Sequence, residues 1–444
     1  MPAFWRTQLQ RSETRVESYT YPDHSQDLLT VHSFPCESLM SQRPAVWITG
    51  VGLTTALGHG YHDFATNLLA GRCGIERVSR FDVSEHPSQI AGLAGEIPCP
   101  PGEDAAQFSS LLRLEQMALW CGRTALNDAQ LETRGLRVGL ILGMGAEWMQ
   151  MWEPDRQRGG RRLQEAGLDE QSVVTLTQRR LGLRGPTLTI SAACASGNWA
   201  LAEARRWLQL GWVDVCLAGA VDNGVSPLSM AGFGNLRALS RKNETPQSAM
   251  RPFDKDRDGM VLGDGGALFV LEREADARAR RVRGYASVAG FGGSSDAYHL
   301  VIPCPEPAQG IAAMRLALRD AGIAASELSY VNAHATSTSV GDVGEAKILQ
   351  AVLGQSVDDV PVSSTKSMTG HLLSAAAAVE AVACLVALER QVVPPTINLD
   401  EPDPACAMLR HVPHRPQSHP VSIVASNSFG FGGNNTSLVL RAVA

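Results

Sequence analysis

The same local pattern occurs twice in this chain, and the repetition restricts the folds open to it. Thr124-Ala125-Leu126-Asn127-Asp128-Ala129 precedes an apolar run from Val138 to Gly143. Leu316-Ala317-Leu318-Arg319-Asp320-Ala321 precedes another from Leu328 to Ala333. Each reads as a helix end, a short loop and a strand that finishes in a polar or glycine-rich tip. A second helix follows each at a similar offset: one after Cys194 in the first half, and an alanine-rich one from His371 to Arg390 in the second. Helices alternating with apolar strands specify an α/β layered fold. Two similar halves packed about a pseudo-twofold would hold a site between them, at strand ends.

With 444 residues the chain can form two core units or one duplicated one. Residues 1–42 are polar and aperiodic and read as a poorly ordered extension. The body opens with the buried-strand pattern Ala45 to Gly50 and divides into 43–283 and 284–444. Net charge is −6, so no nucleic acid or other extended polyanion is expected as partner. Nine cysteines fall singly, without a CxxC pair or Cys/His metal spacing. The odd count and the lack of a secretory leader predict reduced thiols in the cytoplasm and no metal. The longest apolar run, Ala375 to Leu388, contains Glu380 and falls short of the roughly 18 residues of a membrane span.

Four segments carry chemistry. In the first, a strand reading from Pro186 to Ile190 runs through small residues to Cys194 and into a helix from Trp199 to Leu210. A thiol at such an elbow points out of the packed layer and meets the positive end of the helix dipole, which predicts a thiolate. Buried cysteines also serve as small hydrophobes, so the distant segments must decide. The second is Tyr330-Val331-Asn332-Ala333-His334-Ala335-Thr336-Ser337-Thr338, with a histidine at a strand tip before a hydroxyl-rich turn. The third is Ser363-Ser364-Thr365-Lys366-Ser367-Met368-Thr369-Gly370-His371, in which His371 opens the alanine-rich helix. A histidine at a helix N-terminus is held neutral. The fourth, Asn427 to Asn435, is a glycine-rich loop after the strand Val421 to Ser426, able to offer backbone N–H groups to an oxyanion.

One thiol, two histidines, a lysine and an N–H-rich loop suit carbon–carbon bond formation on a thioester. The thiolate takes an acyl group; two neutral imidazoles hold a malonyl thioester as it loses CO2; the carbanion attacks the acyl-cysteine. A cysteine protease would leave His371 and Lys366 without work.

In this order the four segments resemble the β-ketoacyl-acyl carrier protein synthases, most closely the type II elongating condensing enzymes, over about residues 44–442. Further matching stretches are Arg237-Ala238-Leu239-Ser240, Arg251-Pro252-Phe253-Asp254 and Val393-Pro394-Pro395-Thr396. The resemblance implies a thiolase fold in αβαβα layers and a homodimer, with a heterodimer as the alternative. It implies a triad of Cys194, His334 and His371, an ionic pair of Lys366 with Glu380, and structural carboxylates at Asp342 and Glu345. Backbone N–H groups of Cys194 and Phe431 would form an oxyanion hole, with Phe431 as an acyl gate and Thr336 and Thr338 contacting substrate. It implies no cofactor, since substrates arrive on the phosphopantetheine of an acyl carrier protein. The acidic carrier would meet Arg161, Arg162, Arg237, Arg241 and Lys242, or Arg72 with Arg77. A non-condensing partner subunit akin to a chain-length factor is the competing function.

The chain departs from the family pattern at Ala335, Ser374 and Ala377, where glycines are usual, and at Asn434, where a threonine is usual. The stretch from Gly143 to Gly185 is short and carries Trp148, Met149, Met151 and Trp152. Trp148 and Met151 would shorten the acyl tunnel or pack a dimer seam.

Overall fold

The structure is a computed structural model that describes residues 43–145, 147–157, 159–160 and 172–443. Arg161 and Arg162 lie outside the described residues, as do the side chains of Trp148 and Met151. The principal elements of the first half are β1 (Val46–Thr55), α1 (Arg113–Asp128), β2 (Val138–Gly143), α2 (Glu147–Gln157), α3 (Val173–Leu181), β3 (Thr187–Ile190), α4 (Ser196–Gln209), β4 (Val215–Asp222), α5 (Pro227–Asn235) and β5 (Gly265–Arg273). Those of the second are β6 (Ala286–Ser295), α6 (Ala308–Ala321), β7 (Tyr330–Asn332), α7 (Ser339–Leu353), β8 (Pro361–Ser363), α8 (Ala376–Arg390), β9 (Ile423–Gly430) and β10 (Asn434–Arg441).

The strand order shows the duplication. β3-β2-β4-β5-β1 is mirrored by β8-β7-β9-β10-β6. β2 runs parallel to β3 and β4, and β5 antiparallel to β4 and β1. Correspondingly, β7 runs parallel to β8 and β9, and β10 antiparallel to β9 and β6. The halves join where Trp47 faces Ser287 and Ile48 faces Ala286.

Five layers result. α4 and α8 share one core with Ile48, Ile141, Phe269, Val288 and Val424 from the inner sheet faces. α8 is buried from Ala376 to Leu388, as its all-round apolar sequence demands. α1 and α3 cover the outer face of the first half with Leu140, Leu217 and Leu268. α6 and α7 cover that of the second with Val331, Val362 and Val439.

The repeated helix ends are explained by contact. A Cβ at Gly50 would collide with the Ala125 carbonyl oxygen, and one at Gly290 with that of Ala317. Gly52 and Gly292 stand in the same relation to Cys121 and Ala313. Both strands slip register at the equivalent step, Ile48 to Gly50 and Val288 to Gly290. Only glycine lets each outer helix lie directly on its strand.

Several boundaries differ from the sequence reading. The strand read as Val421 to Ser426 is Ile423–Gly430 and takes in the first part of the expected glycine-rich loop, and the helix read from Trp199 begins at Ser196. The strand expected from Leu328 is confined to Tyr330–Asn332. The helix expected from His371 begins at Ala376, after a short 3-10 turn at Leu373–Ala375. Leu373 takes a left-handed φ of 48°, which breaks the helix there.

Gly290→Ala should destabilise by roughly 1–3 kcal/mol, the range for overpacked core sites. Gly344→Ala, a position in α7 with nothing within 4 Å of an added Cβ, should instead gain up to about 1 kcal/mol of helix stability. Urea unfolding of both variants checks this; equal midpoints would remove the helix–strand approach as the reason for the glycine.

Candidate active site

The ends of β3, β7 and β9 and the turn before α8 converge on one cavity of about 690 Å³. Cys194 sits in the elbow between β3 and α4 and is 8% exposed. Ala193 holds the turn at a left-handed φ of 49°. Ser196 staples it, its Oγ accepting from Ala192 N at 2.9 Å and donating to Ala193 O at 2.7 Å. Gly430 passes so close that a Cβ there would stand 3.1 Å from Cys194 N.

His334 leaves the tip of β7. Its N–H and that of Ala335 donate to the Glu345 carboxylate at 3.0 and 2.7 Å, so α7 fixes the loop. His371 follows Gly370, which takes a φ of 73°, and its N–H donates to Val261 O at 2.7 Å. His371 Nε2 lies 3.1 Å from Cys194 Sγ. The two imidazoles meet edge to face, their centroids 5.4 Å apart. Cys194, His334 and His371 are therefore brought together from opposite halves of the chain.

The buried Lys366 organises this cluster. Its ammonium pairs with Glu380, donates to His334 O at 2.6 Å and lies 3.3 Å from His334 Nδ1. An ammonium only donates, so Nδ1 accepts and the His334 proton resides on Nε2. Sγ and the imidazole nitrogens lie within 4.8 Å of one another, a spacing that would suit a thiophilic metal. The Nε2–H of His334 cannot ligate a metal; it is set to donate to an oxygen.

Burial holds His334 well below the usual imidazole range, helped by Lys366 and His371. Burial and Lys366 do the same to His371. Burial also pushes the Cys194 thiol up to about 12, with Glu380 and Asp222 adding to it and Lys366 and the Phe431 N–H opposing. This corrects the expectation of a helix-stabilised thiolate: desolvation outweighs the dipole, and the resting group is a thiol. His371 is likewise neutral through burial, since no α-helix begins at it.

The remaining expected residues are placed as follows. The Phe431 N–H points toward the thiol, and its ring lies 6.0 Å from that of Phe233 on α5. Thr336 and Thr338 line the cavity, their hydroxyls 3.1 Å apart, and Thr338 caps α7. Asp342 is fully buried, accepts from Phe253 N and is pushed to about 7 by desolvation. Glu380 is likewise raised to about 7 by burial. Arg237 is exposed at the cavity mouth. Arg241, Arg72 and Arg77 are exposed away from it, and Lys242 Nζ donates to Asp256 O.

The sequence reading missed Asp222 and Glu153, which line the cavity. Asp222 receives the Ser374 N–H at 3.1 Å. The serine in place of a usual glycine was its only trace in the sequence.

Models of the beta-ketoacyl synthase N-terminal and C-terminal domains match residues 43–277 and 285–400. The 3-oxoacyl-[acyl-carrier-protein] synthase 2 of Vibrio cholerae is 39% identical over 416 residues, covering 90% of this chain and all of the relative. A type II PKS ketosynthase, bound to a hexaketide and in complex with its acyl-carrier protein, is 30% identical with a TM-score of 0.81, covering 90% of this chain and all of that one. A ketosynthase from Xenorhabdus doucetiae, in complex with its chain length factor, is 30% identical with a TM-score of 0.72, covering 90% of this chain and 98% of that one.

The charge states have a direct readout. The His334 and His371 imidazoles should stay neutral well below pH 6.5, because their folded pKa values are depressed. Imidazole NMR titration, assigned with His→Asn variants, checks this. Alkylation of Cys194 by iodoacetamide should keep rising from pH 7 to 9, since the thiol is pushed up to about 12. A rate plateau near pH 7 would show that a thiolate is already present.

Proposed function

The chain belongs to the beta-ketoacyl synthase family, and from that premise we propose which of its residues carry each step. The reaction is that of a 3-oxoacyl-acyl carrier protein synthase: decarboxylative condensation of an enzyme-bound acyl group with a malonyl thioester. The observation that carries the assignment is the Cys194 thiol 3.1 Å from His371 Nε2, with a second neutral imidazole beside it.

Cys194 Sγ attacks the incoming acyl thioester and passes its proton through His371 to the departing phosphopantetheine thiol. The malonyl thioester then binds with its carbonyl oxygen at the His334 Nε2–H, and His371 serves as the second donor in its other neutral tautomer, its proton having shifted from Nδ1 to Nε2. Loss of CO2 leaves an enolate whose charge these donors hold. The carbanion attacks the acyl-cysteine carbonyl. The N–H groups of Cys194 and Phe431 hold that oxyanion, and collapse releases the β-ketoacyl product and the cysteine thiolate, which is then reprotonated. Lys366 and Glu380 position His334 without touching substrate. No cofactor enters; the phosphopantetheine belongs to the carrier.

The partner is an acyl carrier protein, which docks at the mouth beside Arg237 with Arg241 and Lys242 as further positive charges. The dimer forms through β3. It is the last strand of its half, and Thr187 and Thr189 are exposed on it. An open strand edge is a ready template for a second chain, and we read that chain as another copy, with a heterodimeric partner as the alternative. Among the described residues no helix is long and apolar enough to cross a membrane. A reducing cytoplasm would keep the catalytic thiol usable. The chain-length-factor reading has no observation in its favour, since the thiol and both imidazoles are in place.

Cys194→Ala should retain malonyl decarboxylation and lose condensation, because the imidazoles and N–H groups remain. CO2 release and ketoacyl product are measured separately; condensation at a comparable rate would rule out this nucleophile. His334→Ala and His371→Ala should each lower decarboxylation by roughly 100- to 1,000-fold, the usual cost of a lost oxyanion donor. Acyl transfer onto Cys194 in the His334 variant, followed by intact mass, should survive. Normal decarboxylation in both variants would remove the histidines from the mechanism.

A further inference from the structure

The cavity opens to solvent through a rim of large apolar side chains. Leu300 is 80% exposed, and Leu228, Leu236, Ile302 and Val340 are each about half exposed. All but Leu300 also line the cavity, so they mark its mouth. They come from three elements. Leu228 is on α5, and Leu236 is the C-cap residue of that helix. Leu300 and Ile302 belong to the loop after β6, and Val340 stands in the first turn of α7.

The loop is tied down on both sides. The Gly432 N–H donates to Leu300 O at 2.8 Å, next to Phe431. His299 Nδ1 accepts from the N–H groups of Val301 and Ile302, each at 3.0 Å. An ordered backbone therefore holds the Leu300 side chain out in water, where it gains nothing for the fold. On α5, Gly232 lies one turn from each leucine and lines the cavity with them. A Cβ added there would meet nothing within 4 Å, so the two leucines flank an open saddle.

Charge is sparse at this mouth. Among the described residues that line the cavity and reach solvent, Arg237 is the one cation, against Glu153 and Asp296. Arg241 is exposed away from the cavity, and the Lys242 ammonium is engaged by Asp256 O.

An acyl carrier protein delivers its substrate on a covalent arm, so its body must rest on the rim while the arm is inside. We propose that this apolar rim holds the carrier, through a carrier face that itself exposes apolar side chains, while charge serves only to guide its approach. This rests on the condensing reading above and names the chemistry of the contact that reading left open.

The test follows acylation of Cys194 by intact mass, with the same acyl group presented on a carrier protein and on free pantetheine. Leu300→Ser and Leu236→Ser should slow acylation from the carrier by roughly fivefold to thirtyfold, the effect of truncating a central interface contact. Acylation from pantetheine should stay within about twofold, as in other surface substitutions. Raising NaCl from about 0.1 to about 1 M cuts the screening length from about 10 to about 3 Å, and the carrier rate should change less than about threefold. Thermal melting confirms that each variant folds, and Val340→Ser replaces one that does not. Equal losses with both donors, or no loss with either, would overturn the proposal and leave the condensing function standing. So would a larger loss with salt, which would show that charge holds the carrier. A change of oligomeric state in the folded variants on gel filtration would assign the rim to a second copy of the chain and overturn it too. No acyl adduct on Cys194 from either donor in the unmodified protein would sink the condensing assignment itself and this proposal with it.

Discussion

A charge buried in the middle of the protein sets the terms for everything around it. Lys366 and Glu380 have side chains 1% and 3% exposed. Leaving either alone in that environment would cost about 3–5 kcal/mol. Three segments must therefore arrive at one point: the turn after β8 with the lysine, α8 with the glutamate, and the tip of β7 with the His334 carbonyl. The compensation is functional. The ammonium fixes the tautomer of His334, and the strand tip it binds is fixed a second time by Glu345. Reactive and structural groups share the same hydrogen bonds, so the imidazole is rigid before substrate arrives.

The duplicated frame explains why a thiol and two imidazoles from opposite halves meet. In each half the parallel strands end on the same side, and the two central helices lie back to back between the sheets. α4 approaches α8 so closely that a Cβ at Gly197 would stand 2.5 Å from Ala378 N. The nucleophile precedes the first of these helices and the second histidine precedes the other. The turns that aim them carry backbone cost: Ala193, Ser337 and Leu373 all have positive φ without being glycine. Such strain persists only where surrounding structure over-determines it, here by the packed helices and the Ser196 staple.

The layered α/β class, the repeat and the three side chains that meet in the cavity were legible in the sequence, because each depends on local pattern: apolar runs, small-residue elbows, polar strand tips. What was not legible depends on burial and long-range contact. The elbow of Cys194 correctly placed the thiol but suggested the wrong protonation state, since a helix dipole can be read from sequence and desolvation cannot. The alanine run after His371 looked like uninterrupted helix, because nothing in Leu372, Leu373 or Ser374 advertises a left-handed residue. Asp222 was invisible as a cavity residue because it ends an ordinary buried strand 152 positions from its partner Ser374. Trp148 and Met151 fall where side chains are not described, so their part in the tunnel rests on sequence alone.

One consequence of burial ties these features together. The desolvation that raises the thiol also depresses both imidazoles, and the two effects are complementary. An imidazolium at His371 could not accept the thiol proton, so acyl capture from a resting thiol needs that imidazole neutral. The protein instead rests with a neutral thiol and neutral imidazoles. Nucleophilicity then appears only when a thioester reaches Sγ and the proton can move along the 3.1 Å contact to His371 Nε2. In the proposed reaction that proton leaves with the departing thiol once Cys194 is acylated, both imidazoles are neutral again, and His371 becomes a donor for the malonyl carbonyl by moving its remaining proton to Nε2. One cavity thus serves two chemically opposed steps, acyl capture and enolate formation, by holding the Cys194 thiol and both imidazoles in their uncharged forms between them.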